Sequence, residues 1–148
     1  MEAIIFIGIQ ASGKSSLYFE RFAETHMRIN LDMLKTRNRE SILIEACIKA
    51  KQPIVIDNTN PTRKDRKEYI AKLKSNGFKI IGYYFKSSIE ECLARNRQRL
   101  GKNNIPEIAV KGTYNKLEIP DYSEGFDELL YVSIDKNSFI IESWKDEV

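Results

Sequence analysis

The run Gly8-Ile9-Gln10-Ala11-Ser12-Gly13-Lys14-Ser15 decides the fold of this 148-residue chain. It follows an apolar, β-branched stretch at residues 3–7, which is typical of a buried strand, and it precedes helical apolar spacing at residues 17–23. The pattern G-x-x-x-x-G-K-S between a strand and a helix is that of a loop that cradles phosphate groups. A simple glycine and serine turn beside a surface lysine would not explain why all the key positions coincide.

Each residue type in this loop has a physical reason. Gly8 and Gly13 permit backbone dihedrals that a Cβ would forbid, so that successive N–H groups turn inward and form an anion-binding nest. The helix that begins near Lys14 adds its positive dipole end. Lys14 then reaches the β- and γ-phosphate oxygens of a nucleotide, and the Ser15 hydroxyl ligates Mg²⁺. The sequence therefore predicts a nucleoside triphosphate and Mg²⁺ as ligands, bound through Gly8, Gln10, Ala11, Ser12, Gly13, Lys14, Ser15 and Ser16.

Strands and helices alternate along the rest of the chain. Asn60 and Pro61 are the expected start of the third helix and Gly77 its end, while Ser87 and Glu90 form a capping box for the fourth. Strands joined by helices give right-handed crossovers, so we expect a three-layer α/β fold: a mostly parallel five-stranded sheet flanked by helices, with ligands at the carboxyl ends of the strands. The predicted strands are residues 3–7, 27–30, 53–56, 78–85 and 129–134, and the predicted helices are residues 17–23, 34–51, 60–77, 87–99 and 105–117.

Composition places the chain among ordinary globular proteins. Hydrophobic residues make up 42% of it, which provides a core for one domain without disulfides or a structural metal. The two cysteines and the single histidine lack metal-ligand spacing. No apolar run approaches the roughly 20 residues that a membrane span needs. We therefore expect one domain over residues 1–148, with no membrane segment and a cytoplasmic location.

Positive charge is concentrated in the third quarter of the chain. The net charge is only +3, but residues 61–117 carry 14 lysines and arginines against 5 aspartates and glutamates. Residues 118–148 carry 2 against 9. The basic block favours a polyanionic partner such as nucleic acid or nucleotide phosphates, although a solvated helix face without a partner explains the charge alone equally well.

Three further strings narrow the chemistry. Asp32 follows the second strand in Ile29-Asn30-Leu31-Asp32, and the third strand ends in Asp57-Asn58-Thr59-Asn60-Pro61. Cations at residues 95–102 are placed as in a lid over phosphates, and we predict this lid over residues 95–117. Helix caps, turn residues and a solvated face are the structural alternatives. The sequence has no Asn-Lys-x-Asp guanine signature, so a small phosphotransferase fits better than a GTP switch or an oligomeric motor.

Together these strings resemble the kinase module of polynucleotide 5′-hydroxyl kinases, including the 5′-kinase/3′-phosphatase repair enzymes. The resemblance rests on the phosphate loop, Ile-Asn-x-Asp, Ile-Asp-Asn-Thr-Asn-Pro, Arg-Asn-x-x-Arg, a later Ile-Pro and Glu124-Gly125-Phe126, and it spans residues 3–134. It implies a P-loop NTPase fold and the ATP- and Mg²⁺-dependent phosphorylation of 5′-hydroxyl ends of DNA or RNA. Since the sequence shows no phosphatase or ligase motif, we expect any end-healing partner to be a separate chain.

The resemblance also implies roles by position. Asp32 matches the general base that accepts the proton of the acceptor hydroxyl. Lys14 and Arg99 match residues that stabilise charge on the transferred phosphoryl group, and Arg95 matches a second lid cation nearer the nucleotide. The positions expected to bind the acceptor are Lys35, Asp57, Thr59, Asn60 and Arg66.

Two departures from the family pattern leave the acceptor open. Leu31 stands where the family usually has arginine, and Lys35 replaces an arginine, which keeps the charge but loses the two-pronged donor. Arg37 and Arg39 are placed to compensate. The alternative functions are a kinase of a small hydroxylated metabolite or antibiotic, and an ATP-binding regulatory protein without acceptor chemistry. The tail at residues 135–148 is expected to pack as a strand or helix covering a sheet edge, and a homo-oligomer formed through it is compatible with the sequence.

Overall fold

The computed structural model describes residues 1–145, which form one sheet flanked by helices. None of the helices within these residues is long and apolar enough to cross a membrane. The strands are β1 (Glu2–Ile7), β2 (Met27–Ile29), β3 (Ile54–Ile56), β4 (Lys79–Phe85), β5 (Glu128–Asp135) and β6 (Ser138–Ser143). The helices are α1 (Lys14–Arg21), α2 (Leu31–Leu34), α3 (Arg37–Ala50), α4 (Arg63–Ser75), α5 (Ile89–Arg97) and α6 (Glu107–Lys116), with short 3-10 turns at Gly101–Asn103 and Tyr122–Glu124.

The sheet confirms the α/β fold predicted from the sequence. Its strand order is β2-β3-β1-β4-β5-β6, and the first five of these strands run parallel. β6 pairs antiparallel with β5, from Leu130 opposite Ser143 to Asp135 opposite Ser138. The sheet therefore has six strands and not the five predicted, because part of the tail forms an edge strand, which is one of the two arrangements expected for it. The end of the predicted tail, residues 146–148, lies outside the described residues.

β1 shows why the central strands read as continuous apolar runs. Ala3, Ile5 and Ile7 enter the core layer that includes residues of α3 and α4, whereas Ile4 and Phe6 enter the layer on the other face, which includes residues of α1. Each of these five side chains is at most 1% exposed. A parallel strand covered on both faces has no solvent side and therefore needs no polar alternation.

The helix predicted over residues 34–51 corresponds to α3, which begins only at Arg37, and Leu34 instead ends the separate short helix α2. Lys35 adopts a φ of 74° directly after α2, which ends that helix. The Thr36 side chain then accepts a hydrogen bond from the Arg39 N–H and caps the start of α3. The apolar spacing of the sequence does not reveal this break, because both helices contribute apolar residues to the same core layer.

Two helices begin one or two residues later than predicted. Thr62, not Asn60, caps α4, since Thr62 and Asp65 form a reciprocal capping box. Ser88, not Ser87, caps α5 by accepting from the N–H at the third position of the helix. In both cases two polar residues lie close together in the sequence, and the later one caps the helix.

The carboxyl ends of β1, β2 and β3 bring the motifs to one edge of the sheet. β1 leads into the phosphate loop, β2 into Asp32 and β3 into Asp57. Asn30 Nδ2 donates to the Asp57 carbonyl at 2.6 Å, and the Asp57 N–H donates to the Ile29 carbonyl at 2.8 Å. The ends of β2 and β3 are thus tied together at the edge where parallel sheets bind ligands.

Candidate active site

The phosphate loop is a tight turn anchored on β3. The Gly8 N–H donates to the Thr59 carbonyl at 3.0 Å, which fixes the start of the loop. Ala11 and Gly13 have φ values of 64° and 104°, so the chain turns sharply before α1 begins. Turns in which residues of positive and negative φ alternate form the concave backbone surfaces that bind anions.

Gly8 has no room for a side chain. A Cβ there would lie 2.7 Å from Ser12 Oγ and 2.9 Å from Phe85 Cβ. We expect Gly8→Ala to lower the free energy of unfolding by about 1–3 kcal/mol, because the loop or β4 must shift to relieve the overlap. Gly112→Ala in α6 is the matched control, since a Cβ there meets nothing within 4 Å and alanine favours a helix. Chemical denaturation measures both variants, and equal stability of the two would contradict the close packing at Gly8.

Lys14 lies half-buried beside the loop. Its Nζ donates to the Gly8 carbonyl at 3.0 Å and to the Ile9 carbonyl at 2.8 Å. Burial lowers the pKa of Lys14 to about 8, against the charge of Asp57, which raises it. An ammonium group with a lowered pKa is short of nearby negative charge. The position therefore suits an anionic ligand.

Ser12 gives a second, independent sign of such a ligand. It is 3% exposed, and its hydroxyl has no hydrogen-bond partner among residues 1–145. A buried hydroxyl without a partner costs free energy that a bound ligand can recover. Because this hydroxyl lies within the loop itself, phosphate oxygens fit the cradle.

Ser15 and Asp57 form the part of the site that suits a divalent cation. The Ser15 hydroxyl donates to Asp57 Oδ2 at 3.1 Å, and the Asp57 side chain is buried. Hydroxyl and carboxylate oxygens are among the ligands that Mg²⁺ prefers. The Asp57 carboxylate is engaged by Ser15 of the phosphate loop and by Arg28, and its predicted contact with the acceptor stays a prediction.

Asp32 stands in the short helix α2, whose backbone is held on both sides. The Asn30 side chain accepts from the Met33 N–H at 3.0 Å, and the Asn58 side chain accepts from the Leu31 N–H at 3.0 Å. The Asp32 side chain itself is exposed. The result is a solvent-accessible carboxylate on a fixed piece of backbone.

Lys14 brings the three predicted catalytic residues into one electrostatic neighbourhood. Burial and Asp57 have larger effects on its pKa, but the charge of Arg99 also lowers it and the charge of Asp32 also raises it. No hydrogen bond joins Asp32, Arg99 and Lys14 within residues 1–145, and their action on one phosphoryl group stays a prediction.

A cleft of about 210 Å³ lies between α2, the end of β3 and α6. Its lining includes Leu31, Asn58, Thr59 and Lys116, so it offers amide, hydroxyl and ammonium groups next to the helix that carries the exposed carboxylate. Thr59, which the sequence analysis assigns to the acceptor, lines this cleft. Lys35 is exposed at the end of α2.

Asn60 and Arg66 are buried and bonded within the protein. Asn60 Nδ2 donates to the Phe6 carbonyl at 2.8 Å. The Arg66 guanidinium donates to both carboxylate oxygens of Glu124, at 2.8 and 3.1 Å, and to the Asn60 carbonyl at 2.9 Å. Asn60 also lines the cleft, so a contact between it and the acceptor stays a prediction, as it does for Arg66. Both residues fix the connection between β3 and α4, which includes the cleft residue Thr59.

The predicted lid segment, residues 95–117, contacts the phosphate loop at two points. Arg95 Nη1 donates to the Ala11 carbonyl at 3.0 Å. Gln10 Nε2 donates to the Thr113 hydroxyl at 3.0 Å. The loop is thereby connected to both α5 and α6, so a ligand that moves the loop also acts on these helices.

The hairpin of β5 and β6 packs against the phosphate loop. Lys136 and Asn137 form its two-residue turn, with φ values of 49° and 63°. A Cβ on Gly13 would lie 3.0 Å from Ile134 Cδ1 and 3.0 Å from Phe139 Cε1. The glycine is thus required both by its positive φ and by this close approach.

Sequence reasoning missed three residues that shape the site: Arg28, Asn58 and Glu40. Asn58 had a signal, since it lies inside the polar string that ends β3. It connects the backbone of Leu31 to the buried carboxylate of Glu40, to which its Nδ2 donates at 3.3 Å. No sequence pattern marked Arg28 or Glu40 as a site residue, because a charged residue in a strand or helix pattern is usually solvent-exposed.

The sequence of the chain is similar to those of a polynucleotide phosphatase/kinase and a tRNA kinase. It is 31% identical over 129 residues to the bifunctional polynucleotide phosphatase/kinase of Schizosaccharomyces pombe, which covers 84% of this chain and 32% of that protein. It is 23% identical over 177 residues to the L-seryl-tRNA(Sec) kinase of Methanococcus maripaludis, covering 94% of this chain and 69% of that protein. The chain thus spans about a third of the length of the yeast relative.

A solved structure shares the fold of this chain, and a family profile matches its sequence. Kti12 of Chaetomium thermophilum, in complex with ADP-AlF3, matches with a TM-score of 0.63 at 17% identity, covering 90% of this chain and 89% of that chain. This likeness shows the fold alone. The profile of a family described as AAA domain matches residues 30–118, more than half of the chain. The resemblance read from the sequence motifs is thereby confirmed, and the chain belongs to this AAA domain family as a P-loop domain of the kinase type.

Proposed function

We propose that this chain transfers the γ-phosphoryl group of ATP to a 5′-hydroxyl end of DNA or RNA. The observation that carries the proposal is an exposed carboxylate, Asp32, on a helix that is tied to the phosphate loop. The Leu31 N–H of that helix donates to the Asn58 side chain, and the neighbouring Thr59 carbonyl accepts from the Gly8 N–H of the loop. A polar cleft opens beside the helix that bears it. The yeast relative, named as a polynucleotide phosphatase/kinase, supports the class of acceptor.

The residues at the carboxyl edge of the sheet divide into a donor side and an acceptor side. On the donor side, the loop N–H groups, Ser12 and Lys14 bind the phosphates of ATP, with Arg95 above the loop. Ser15 and Asp57 hold Mg²⁺, which when bound neutralises charge on the phosphates. On the acceptor side, the cleft lined by Thr59 and Asn58 orients the incoming alcohol.

Asp32 handles the proton of the reaction. It takes the proton of the acceptor hydroxyl while that oxygen bonds to the γ-phosphorus, in line with the departing ADP. Lys14 and Arg99 stabilise the charge that spreads over the transferred group. The transfer is direct, without a covalent enzyme intermediate.

The lowered pKa of Lys14 predicts that nucleotide binding takes up a proton at alkaline pH. In the free protein Lys14 loses its proton around pH 8, and added phosphate charge raises its pKa, so at pH 8.5 we expect uptake of about half to one proton. Below about pH 7 Lys14 is already protonated in both states and its uptake vanishes. Calorimetry in two buffers of different ionisation enthalpy measures this number. A measurement that shows no proton uptake on nucleotide binding at pH 8.5 would contradict the placement of Lys14 at the phosphates.

Labelled ATP tests the proposed function directly. The protein is incubated with Mg²⁺, γ-labelled ATP and a panel of 5′-hydroxyl DNA, 5′-hydroxyl RNA, 3′-nucleoside monophosphates and common metabolites. We expect label on the 5′-hydroxyl oligonucleotides and none on matched oligonucleotides that already carry a 5′-phosphate. ATP binding without labelling of any member of the panel would instead favour a regulatory protein.

The size of the cleft keeps one rival function open. At about 210 Å³ it is smaller than the usual range for ligand pockets, which suits a small hydroxylated metabolite. Salt separates the two functions, because affinity for a polynucleotide falls steeply with ionic strength as counterions are released, whereas affinity for a neutral metabolite does not. The acceptor KM measured at low and at high salt therefore decides between them.

A further inference from the structure

Arg28, the middle residue of β2, bridges the two oxygen atoms that suit a divalent cation. Its Nε donates to Asp57 Oδ2 at 2.9 Å, and its Nη2 donates to Ser15 Oγ at 2.9 Å. Ser15 Oγ and Asp57 Oδ2 are themselves 3.1 Å apart. One guanidinium group therefore closes a triangle with the hydroxyl and the carboxylate.

The arginine is held in this position by α1 as well. Its guanidinium carbon lies 5.1 Å from the ring centroid of Phe19 and 5.7 Å from that of Tyr18. The side chain is only 19% exposed. Stacking on aromatic rings and two hydrogen bonds together fix the guanidinium, so the bridge is a built feature of the site.

The guanidinium and a divalent cation compete for the same oxygens. The buried Asp57 carboxylate needs a positive partner, and Arg28 supplies one. A guanidinium has donors only and cannot ligate a metal, while Mg²⁺ demands lone pairs in a strict geometry and carries its own shell of water. Lone pairs of Ser15 and Asp57 that face Arg28 are unavailable to the cation until the arginine moves.

We propose that Arg28 is a built-in competitor of Mg²⁺ at the Ser15–Asp57 pair. It neutralises Asp57 and must be displaced when the metal binds with the nucleotide. The competition weakens intrinsic metal affinity, so that tight metal binding depends on the additional phosphate oxygens. This inference rests on the proposed function in one respect, namely that the loop binds a nucleotide with a divalent cation.

Mn²⁺ is a direct probe of the competition. Its binding to the protein with saturating ADP is followed by the loss of the free-ion electron paramagnetic resonance signal. We expect Arg28→Met to tighten Mn²⁺ binding by about five- to tenfold, since methionine neither donates to nor ligates the site and still packs on Tyr18 and Phe19. Arg21→Met is the matched control, because it removes an equal charge from the exposed end of α1. This control should bind Mn²⁺ as the wild type does.

Two results with the methionine variants would overturn the inference, and a third would come from Arg28→Lys. The first is Mn²⁺ binding by Arg28→Met that is no tighter than that of the wild type. The second is an equal gain in Arg21→Met, which would assign the effect to net charge. An Arg28→Lys variant, which keeps the charge but loses the fork, covers the case in which Arg28→Met does not fold. A smaller gain in that variant supports the inference, and no gain contradicts it.

The readout separates this inference from the proposed function. It uses no acceptor, so a wild-type protein that binds Mn²⁺ and ADP but phosphorylates nothing would refute the proposed kinase activity alone. Wild-type protein that binds no Mn²⁺ with ADP would refute both. Melting temperatures in a chelator add a second check, since Arg28→Met leaves the buried Asp57 without its arginine partner and should lose stability that Mn²⁺ with ADP restores.

Discussion

From the proposed function we expect the replacement of Asp32 with asparagine to lower the turnover number with a 5′-hydroxyl acceptor by about 10²–10⁴-fold and to leave nucleotide affinity unchanged. Asparagine keeps the shape of the side chain but cannot take up a proton, so the loss falls on the transfer step. The backbone of α2 is held through the side chains of Asn30 and Asn58 and not through the carboxylate, so the helix stays in place. Single-turnover kinetics measure the transfer, and calorimetry measures the nucleotide affinity.

Glu24→Gln is the matched control for this variant. It removes one exposed carboxylate from the segment between α1 and β2, at the opposite end of β2 from Asp32. The control should keep full turnover. Near-normal turnover in Asp32→Asn would remove Asp32 from the role of proton acceptor, and a parallel loss of nucleotide affinity would point to a structural role.

Replacing Arg66 with methionine destabilises the protein by about 3–5 kcal/mol. The Arg66 side chain is fully buried, and its fork with Glu124 is bidentate. Removing the guanidinium leaves the Glu124 carboxylate without its partner in a largely buried position, and it also leaves the Asn60 carbonyl without a donor. Chemical denaturation of the variant, with a fit for the free energy of unfolding, measures the loss.

The pair of Arg63 and Glu118 provides the comparison. These side chains are 3.9 Å apart and about half exposed, at 48% and 49%. Arg63→Met should therefore change the free energy of unfolding by no more than about 1 kcal/mol. Adding Glu124→Leu to Arg66→Met should recover part of the loss, because the unpaired charge is then gone. Equal effects of Arg63→Met and Arg66→Met would show that burial of the ion pair contributes nothing.

The fold and the phosphate loop could be predicted because their signals are local. Apolar runs mark the central strands, and the loop pattern specifies its own dihedrals, as the positive φ of Gly13 illustrates. The residues of the tail left a strand and a helix equally open, so the sixth strand could not be counted in advance. Ser138–Ser143 forms a strand because β5 presents a free edge to it, and that edge is a property of the assembled sheet.

The roles within the string that ends β3 could not be assigned from sequence. Asp57, Thr59 and Asn60 are all polar residues beside a strand end, but Asp57 bonds to the phosphate loop, Thr59 lines a cleft, and Asn60 lines that cleft while its side chain bonds to the backbone of β1. Their partners decide which is which, and those partners are distant along the chain. Arg66 illustrates this best, because its partner Glu124 is 58 residues away.

The wall that Ile134 and Phe139 build against Gly13 sets a limit on how this domain can be excised or fused. A boundary drawn at residue 135 would preserve all five parallel strands and the whole glycine-rich turn. It would nevertheless strip Phe139 from the base of that turn and expose one flank of it to water. Any shuffled or shortened version of this domain must therefore keep the hairpin of β5 and β6.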